Sequence, residues 1–311
     1  MNSTDSRPLM VTIRCITYNH EPYIRQCLEG FVMQKTNFRY EAIVHDDAST
    51  DGTSDIIREY AEKYPDIIKP IYETENQYSK RDGSLSRIMD EHTHGKYVAL
   101  CEGDDYWIDP LKLQKQVDFL ETHPGFTMCG TNGLIVWDMG ENRPSYFNKI
   151  FSSKELLAHD IIGKWAMPTA SLLYKREIKD NYPEWSNKIY SGDQTLILVA
   201  LYRGGVFCLS DLTCIYRKSS SNAFAISNNT NALYVYSQHL KLYKFYNEWT
   251  NYKFDFLIRE YIKKLENNIR RTKQICQYSN LHKKSCFLPI IFMPVYTLKM
   301  LKYKFVSNLK H

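Results

Sequence analysis

Four short apolar runs separated by amphipathic helical stretches constrain this chain more than any other feature. Leu9 to Ile16, Tyr40 to Val44, Ile67 to Tyr72 and Tyr97 to Cys101 have the length and apolar content of buried strands. Helical spacing fills the intervals: Glu21 to Met33, with Ile24, Cys27, Leu28, Phe31 and Val32 on one face, then Ser54 to about Tyr64, then Leu85 to His94. Strands alternating with helices of this length predict an α/β fold, a mostly parallel sheet with helices packed on its faces.

In an open α/β sheet, ligands bind at the C-terminal ends of the strands. Two of those ends are acidic here: Asp46-Asp47 closes the second strand, and Glu102, Asp104 and Asp105 follow the fourth. The first strand contributes Thr17-Tyr18-Asn19 at the same edge. An aromatic face, hydroxyls and carboxylates would then converge on a crevice suited to a nucleotide. Clustered carboxylates repel one another unless a cation sits among them, and Mg²⁺ or Mn²⁺ favours such oxygen ligands. Gly-Asp-Asp is equally good turn chemistry, so an acidic surface turn stays open as the alternative. No G-x-G-x-x-G follows the first strand and there is no Walker A loop, which argues against dinucleotide and ordinary ATP binding.

Further along, Pro110 sits in the first turn of a helix running to about Thr122, and Thr127 to Trp137 and Ser171 to Tyr174 are strand-like. Asp193 opens an apolar helix through Tyr202 that stops at Gly204-Gly205. Val206 to Leu209 and Thr213 to Tyr216 look like two short strands, while 131–190 is weakly patterned and unassigned. From Tyr234 the pattern becomes long, basic and helical. The expected division is therefore a sheet domain over 1–230 and a helical extension over 231–311.

Charge supports that division. The net charge of +5 hides 15 basic against 4 acidic residues from Lys241 onward, a balance of +11, and 25 against 31 before it. A basic tail with the apolar patch Cys286 to Leu298 suits contact with an anionic membrane surface, and equally a helical subdomain with lysines on its wet face. The patch is too short to span a bilayer and contains Pro289 and Pro294. The eight cysteines show no metal or redox spacing, and Met1 to Pro8 lacks the apolar core of a signal peptide. Free thiols and a cytoplasmic location are the expectation, with peripheral contact at the inner face of the membrane. No motif supports nucleic-acid binding.

Three motifs carry a resemblance. Ile16-Thr17-Tyr18-Asn19-His20-Glu21, then Val44-His45-Asp46-Asp47-Ala48-Ser49-Thr50-Asp51-Gly52-Thr53, then Glu102-Gly103-Asp104-Asp105-Tyr106-Trp107 resemble, in order and spacing, family 2 glycosyltransferases of the GT-A fold. The fold this resemblance implies is a Rossmann-type mixed, mostly parallel sheet flanked by helices, with a helical C-terminal extension. Ser191-Gly192-Asp193-Gln194 before an apolar helix is similar to the family's catalytic-base segment. Tyr216-Arg217-Lys218 is similar to a Tyr-Arg segment that often follows, although Ser219-Ser220-Ser221 stand where a His is common.

The resemblance implies that Thr17, Tyr18 and Asp47 contact the nucleobase, with Asn19 in the same nucleotide-binding loop and Glu21 supporting it. It implies that Asp104 holds the ribose, Asp105 an Mg²⁺ or Mn²⁺ ion, and that Asp193 is the general base. The implied activity is inverting transfer of a sugar from a nucleotide-diphosphate donor, a UDP-sugar, to a saccharide or lipid-linked saccharide acceptor in cell-surface polysaccharide synthesis.

Plainer roles compete at each position. Asp193 is also a good helix N-cap, Asp47 an Asx-turn residue and Tyr18 a core aromatic. Arg81 and Arg217 are candidates for the diphosphate and Trp107 for the acceptor pocket, against a solvated loop charge for Arg81 and a core tryptophan for Trp107. Two rival functions remain. A nucleotidyltransferase would want a Gly-rich, basic loop after the first strand, where this chain has Thr-Tyr-Asn-His-Glu. A non-catalytic nucleotide-sugar or polysaccharide binder would keep the acids without the reaction.

Overall fold

The computed structural model describes residues 6–137, 143–189, 191–218 and 232–281. Ten strands form one mixed sheet: β1 (Leu9–Thr17), β2 (Arg39–Asp46), β3 (Ile68–Tyr72), β4 (Tyr97–Leu100), β5 (Tyr106–Trp107), β6 (Phe126–Trp137), β7 (Ser145–Tyr146), β8 (Lys154–Glu155), β9 (Leu173–Lys175) and β10 (Gly205–Lys218). Their order is β3-β2-β1-β4-β9-β6-β10-β5, with β7 on β6 and β8 on β10.

The expected parallel core is present, because β3, β2, β1 and β4 are all parallel neighbours. Helix α1 (Glu21–Val32) connects β1 to β2, and α2 (Thr53–Lys63) connects β2 to β3. The short α3 (Gln77–Lys80) and α4 (Ser84–Glu91) lie between β3 and β4. Strand alternation assigns faces: Tyr97 and Ala99 join one hydrophobic core, with Ile13, Leu28, Phe31 and Leu113, whereas Val98 joins the other, with Met128, Leu172 and Leu198. A sheet covered on both sides needs such continuous apolar strands.

The sheet is mixed and mostly parallel, as expected, and its antiparallel part begins where β9 enters between β4 and β6. One feature departs from the sequence reading. Residues 205–218 form one long strand on β6 instead of two, with register shifts between Leu209 and Cys214. Ser210-Asp211 looks like a turn in sequence, but a bulge absorbs it, and Asp211 pairs with Lys115 of α5 (Lys112–Thr122) at 2.6 Å.

The region 131–190 contains the four-residue helix α6 (Ala158–Ile161) and a 3₁₀ turn at Thr169–Ser171. Helix α7 (Gly192–Arg203) follows, with Leu196 to Ala200 all buried. Beyond β10 lies α8 (Ala232–Trp249), whose Leu242, Tyr243 and Tyr246 are buried in the second core with α7. One compact unit accordingly runs through Leu265 and a second begins at Glu266, part-way along α9 (Asp255–Leu281). The patch Cys286 to Leu298 and the run Ser219-Ser220-Ser221 lie outside the described residues. Among the described residues, no helix is long and apolar enough to cross a membrane. Cys15, Cys27, Cys101, Cys129, Cys208 and Cys214 are free thiols, all buried.

Candidate functional site

Both acidic loops hang from the end of β1. The Asp47 N–H donates to the Thr17 carbonyl at 2.9 Å, and the Gly103 N–H donates to the Ile16 carbonyl at 3.0 Å. Register places Thr17 opposite Asp46 on one side of β1 and Arg14 opposite Leu100 on the other. The two strand ends therefore share one rim.

Asn19 and Glu21 stitch the first loop to the second. Asn19, at φ 54°, accepts from the Thr50 N–H at 2.8 Å, and Glu21 accepts from the Gly52 N–H at 2.9 Å. Tyr18 is 45% exposed on this rim, as a base-stacking ring must be and a core aromatic is not. Asp47 is buried, and its two oxygens take the N–H groups of Gln77 (2.6 Å) and Tyr78 (3.0 Å), which caps α3. A carboxylate accepts about four hydrogen bonds, so capacity for a base N–H remains. Thr17 Oγ1 and His20 Nδ1 are buried without hydrogen-bond partners, and both crowd Gly103. A Cβ there would sit 2.6 Å from Thr17 Oγ1 and 2.8 Å from His20 Nδ1, so close approach requires glycine.

Strand β5 pairs antiparallel with β10, setting Tyr106 opposite Ile215 and bringing Arg217 against the acidic turn. The Arg217 N–H donates to Asp105 Oδ1 at 2.8 Å, and its Nε donates to the Asp104 carbonyl at 2.8 Å. The guanidinium lies between the rings of Tyr23 (4.7 Å) and Tyr106 (5.0 Å). Arg217 thus clamps the turn that carries both aspartates.

Burial, with the Asp104 charge beside it, pushes the Asp105 carboxyl well above the usual range. Burial first, then Asp104 and Asp193, pushes Glu102 up to about 8. Among the described residues no group of three or more acidic, His or Cys side chains is arranged to hold a metal. The raised Asp105 carboxyl beside the Asp104 charge nevertheless suits a hard cation, and Mg²⁺ takes one or two carboxylates and completes its shell with phosphate and water. Asp104 and Asp105 fit that donor set.

Asp193 lies in the first turn of α7, where Ser191 occupies the N-cap position. Its Oδ1 accepts from Ser191 Oγ at 2.9 Å and from the Gln194 N–H at 2.7 Å, and its Oδ2 accepts from Thr169 Oγ1 at 3.1 Å. The turn bearing Thr169 is held from below, because Trp107 Nε1 donates to the Ala170 carbonyl at 2.8 Å. Trp107 is only 2% exposed, packed edge-on against Phe31 with the Lys112 ammonium over its ring. It is a core residue and not the floor of an acceptor pocket: its indole N–H is taken by the Ala170 carbonyl, and its ring is covered by Phe31 and Lys112. The charge of Asp193 is felt at Glu102 and at Tyr216, so Asp193 and the acidic turn share one locality.

A cleft of about 600 Å³ opens beside this locality. Gln77 and Tyr78, held by Asp47, line one side with the exposed Arg81; Gly192 and Thr195, flanking Asp193, line another. Tyr18, Asp104, Asp105 and Asp193 are not in its wall. Sequence reasoning passed over Thr169, α3 and the α8 residues Tyr234 and Gln238. Asn76 was a legible signal for α3, since its side chain accepts from the Ser79 N–H as an N-cap; the others carry no local pattern.

The uncharacterized protein Rv1520 of Mycobacterium tuberculosis is 35% identical over 210 residues, which is 67% of this chain and 58% of that protein. This chain thus spans little more than half of that relative's length. The UDP-Glc:alpha-D-GlcNAc-diphosphoundecaprenol beta-1,3-glucosyltransferase WfaP of Escherichia coli is 32% identical over 117 residues, 38% of this chain and 43% of that protein. Among solved structures, S. aureus TarS 1-349 in complex with UDP-GlcNAc superposes with a TM-score of 0.56 at 20% identity, covering 76% of this chain and 66% of that one, which shows a shared GT-A-like fold. The family description Glycosyl transferase family 2 matches residues 12–203, a span holding all three motif loops, the acidic turn and Asp193. With that match over more than half its length, the chain belongs to glycosyl transferase family 2.

Proposed function

We propose that this protein is an inverting glycosyltransferase that moves a sugar from a nucleotide-diphosphate donor, a UDP-sugar, to a saccharide acceptor. The observation that carries the reading is the hydrogen-bonded line from the acidic turn through Trp107 and the Ala170 carbonyl to Thr169 and Asp193. It fixes a carboxylate base relative to the turn assigned to the donor. The relatives' names agree, since WfaP uses a UDP-sugar and a diphospholipid-linked acceptor, and TarS is recorded with UDP-GlcNAc.

Tyr18 supplies the exposed ring for the base, Thr17 and Asp47 its polar contacts, and Asp104 the ribose contact, with Asn19 and Glu21 holding their loop. Asp193 takes the proton from the attacking acceptor hydroxyl. That oxygen bonds to the anomeric carbon from the face opposite the diphosphate, the carbon–oxygen bond to phosphate breaks, and nucleoside diphosphate leaves. A positioned carboxylate base contributes about 10²- to 10⁴-fold to such a step. Asp105, with Asp104, would hold Mg²⁺ or Mn²⁺, which supplies Lewis-acid neutralisation of the leaving diphosphate when bound. Arg81, on the cleft wall, is placed to meet the donor's phosphates; Arg217 acts through the turn it clamps.

We assign the protein to the cytoplasmic face of the membrane in cell-surface polysaccharide synthesis, with the basic residues after Lys241 drawn to anionic lipid. The deciding experiment incubates the purified chain with a UDP-sugar panel, with Mn²⁺ or with EDTA, and follows UDP release. Release that requires metal and is lost in Asp193→Asn supports the reading; no release from any donor refutes it.

A further inference from the structure

Helix α8 lies wholly beyond residue 203, where the family match ends, yet it reaches the cleft beside Asp193. Tyr234 and Gln238 are four residues apart, on one helix face, and both line the cleft. Three hydrogen bonds fix α8 against α7 and the segment before it. Tyr246 Oη donates to the Leu198 carbonyl at 2.9 Å, Gln194 Nε2 donates to Tyr243 Oη at 3.2 Å, and Lys241 Nζ donates to the Lys188 carbonyl at 3.1 Å. Gln194 directly follows Asp193, so the helix bearing the base and the helix bearing Tyr234 and Gln238 share one frame.

Beside the charged Arg81, Asp90, Lys179, Glu184 and Lys188, part of the wall matches a sugar. Tyr78 and Tyr234 are 50% and 37% exposed, and their rings offer apolar faces. Gln238 and Asn187 offer amides, each able to donate and accept. A pyranose presents the complement: an apolar C–H face, with hydroxyls around its edge that donate and accept. The volume of about 600 Å³ lies within the range of small-molecule sites. The donor-side loop 77–81 and the base-bearing end of α7 both border the cleft, so a sugar seated there lies between them.

We infer that α8 supplies acceptor selection: Tyr234 packs against a pyranose face and Gln238 hydrogen-bonds its hydroxyls, holding the sugar against the Gly192–Thr195 end of α7 that bears Asp193. This rests on the transferase reading and adds the place where acceptor recognition resides, in a helix outside the family-matched segment.

The test uses the full chain with p-nitrophenyl α- and β-glycosides of glucose, galactose, mannose and N-acetylglucosamine as acceptor probes. Binding is read by saturation-transfer difference NMR in the presence of UDP, and UDP affinity is read separately. We expect at least one glycoside to bind the wild type, and Tyr234→Ala and Gln238→Ala each to weaken it about tenfold, with Tyr234→Phe near wild type and UDP affinity unchanged. Gln238→Ala alone decides the matter should Tyr234→Ala fail to fold. The assignment is overturned if no glycoside binds the wild type, if the folded variants bind as it does, or if they lose UDP in parallel. Glycoside binding without UDP release from any donor would refute the transferase reading and leave the sugar site standing.

Discussion

The backbone N–H of Arg217 meets the Asp105 carboxylate at 2.8 Å, across 112 residues of chain. The same residue's Nε holds the Asp104 carbonyl, and its guanidinium is sandwiched by Tyr23 and Tyr106. One arginine therefore sets the position of both aspartates. Removing its side chain leaves the backbone bond and breaks the rest, a loss of about 1.5–3 kcal/mol for hydrogen bonds to a charged group. We expect Arg217→Ala to raise the KM for the UDP-sugar and to lower the melting temperature. Arg217→Lys should fail to rescue it, because an ammonium cannot reproduce the planar fork. Donor-saturation kinetics of the two variants check this.

The Thr169 hydroxyl donates to Asp193. Thr169→Val keeps the shape and removes the hydroxyl donor at 3.1 Å. Asp193 then loses one of its three hydrogen bonds. We expect kcat to fall roughly tenfold with donor KM unchanged, the pattern of a lost orientation effect, against about 10²- to 10⁴-fold for Asp193→Asn.

Gly103 has neighbours that a methyl group cannot displace cheaply, since Thr17 is buried and the His20 backbone is tied to Thr53 at 2.9 Å. Gly103→Ala should destabilise by about 1–3 kcal/mol, as overpacking does, and should weaken UDP binding by pushing the first motif loop away from the acidic turn. Urea denaturation and UDP titration of the variant measure the two effects.

Lys112 is fully buried behind the site, bonded to Gln116 at 2.7 Å, and burial lowers its pKa from the ordinary 10.5 to about 8. Below pH 8 folded and unfolded chains both hold the proton, and the penalty for burying the charge is constant. Between about 8 and 10.5 the unfolded chain still binds it while the folded chain releases it. The unfolded state then holds more protons, so this residue's contribution to stability rises with pH, by on the order of 3 kcal/mol over the whole window. We expect the stability difference between wild type and Lys112→Met to shift toward the wild type from pH 7.5 to 9.5. A difference independent of pH, by denaturant unfolding, would contradict this.

Asp105→Asn removes one carboxyl group of the aspartate pair while keeping an acceptor for the Arg217 N–H. We expect UDP release to fall to the level seen with EDTA, and added Mn²⁺ to restore the EDTA-treated wild type but not the variant. The two titrations, run side by side, separate loss of metal from loss of fold.

Much of the site was legible in sequence because its parts are local. A strand that ends in Asp-Asp, the Thr17-Tyr18-Asn19 loop after the first strand and the Gly103-Asp104-Asp105 turn after the fourth each declare themselves within a few residues. The parallel order of the first four strands followed from short crossovers, which leave few topologies open. That Asp47 and Asp105 share a rim followed from the same rule, since both strands flank β1.

What only the tertiary structure decided is every pairing between distant segments. Trp107 read equally as a ligand platform and as core, and it is core because β5 folds onto β10 and turns the ring inward beneath Ala170. Arg217 read as a phosphate contact, yet it is committed to the acidic turn. The antiparallel entry of β9, the bulge at Ser210-Asp211 and the packing of α8 on α7 leave no local trace. The physical reason is that a residue's propensity and the apolar period report on its own segment, whereas these choices depend on which surfaces remain to be covered once the sheet has formed. Sequence alone determined the elements and the chemistry at their ends; the closing of the far half of the sheet decided what those ends face.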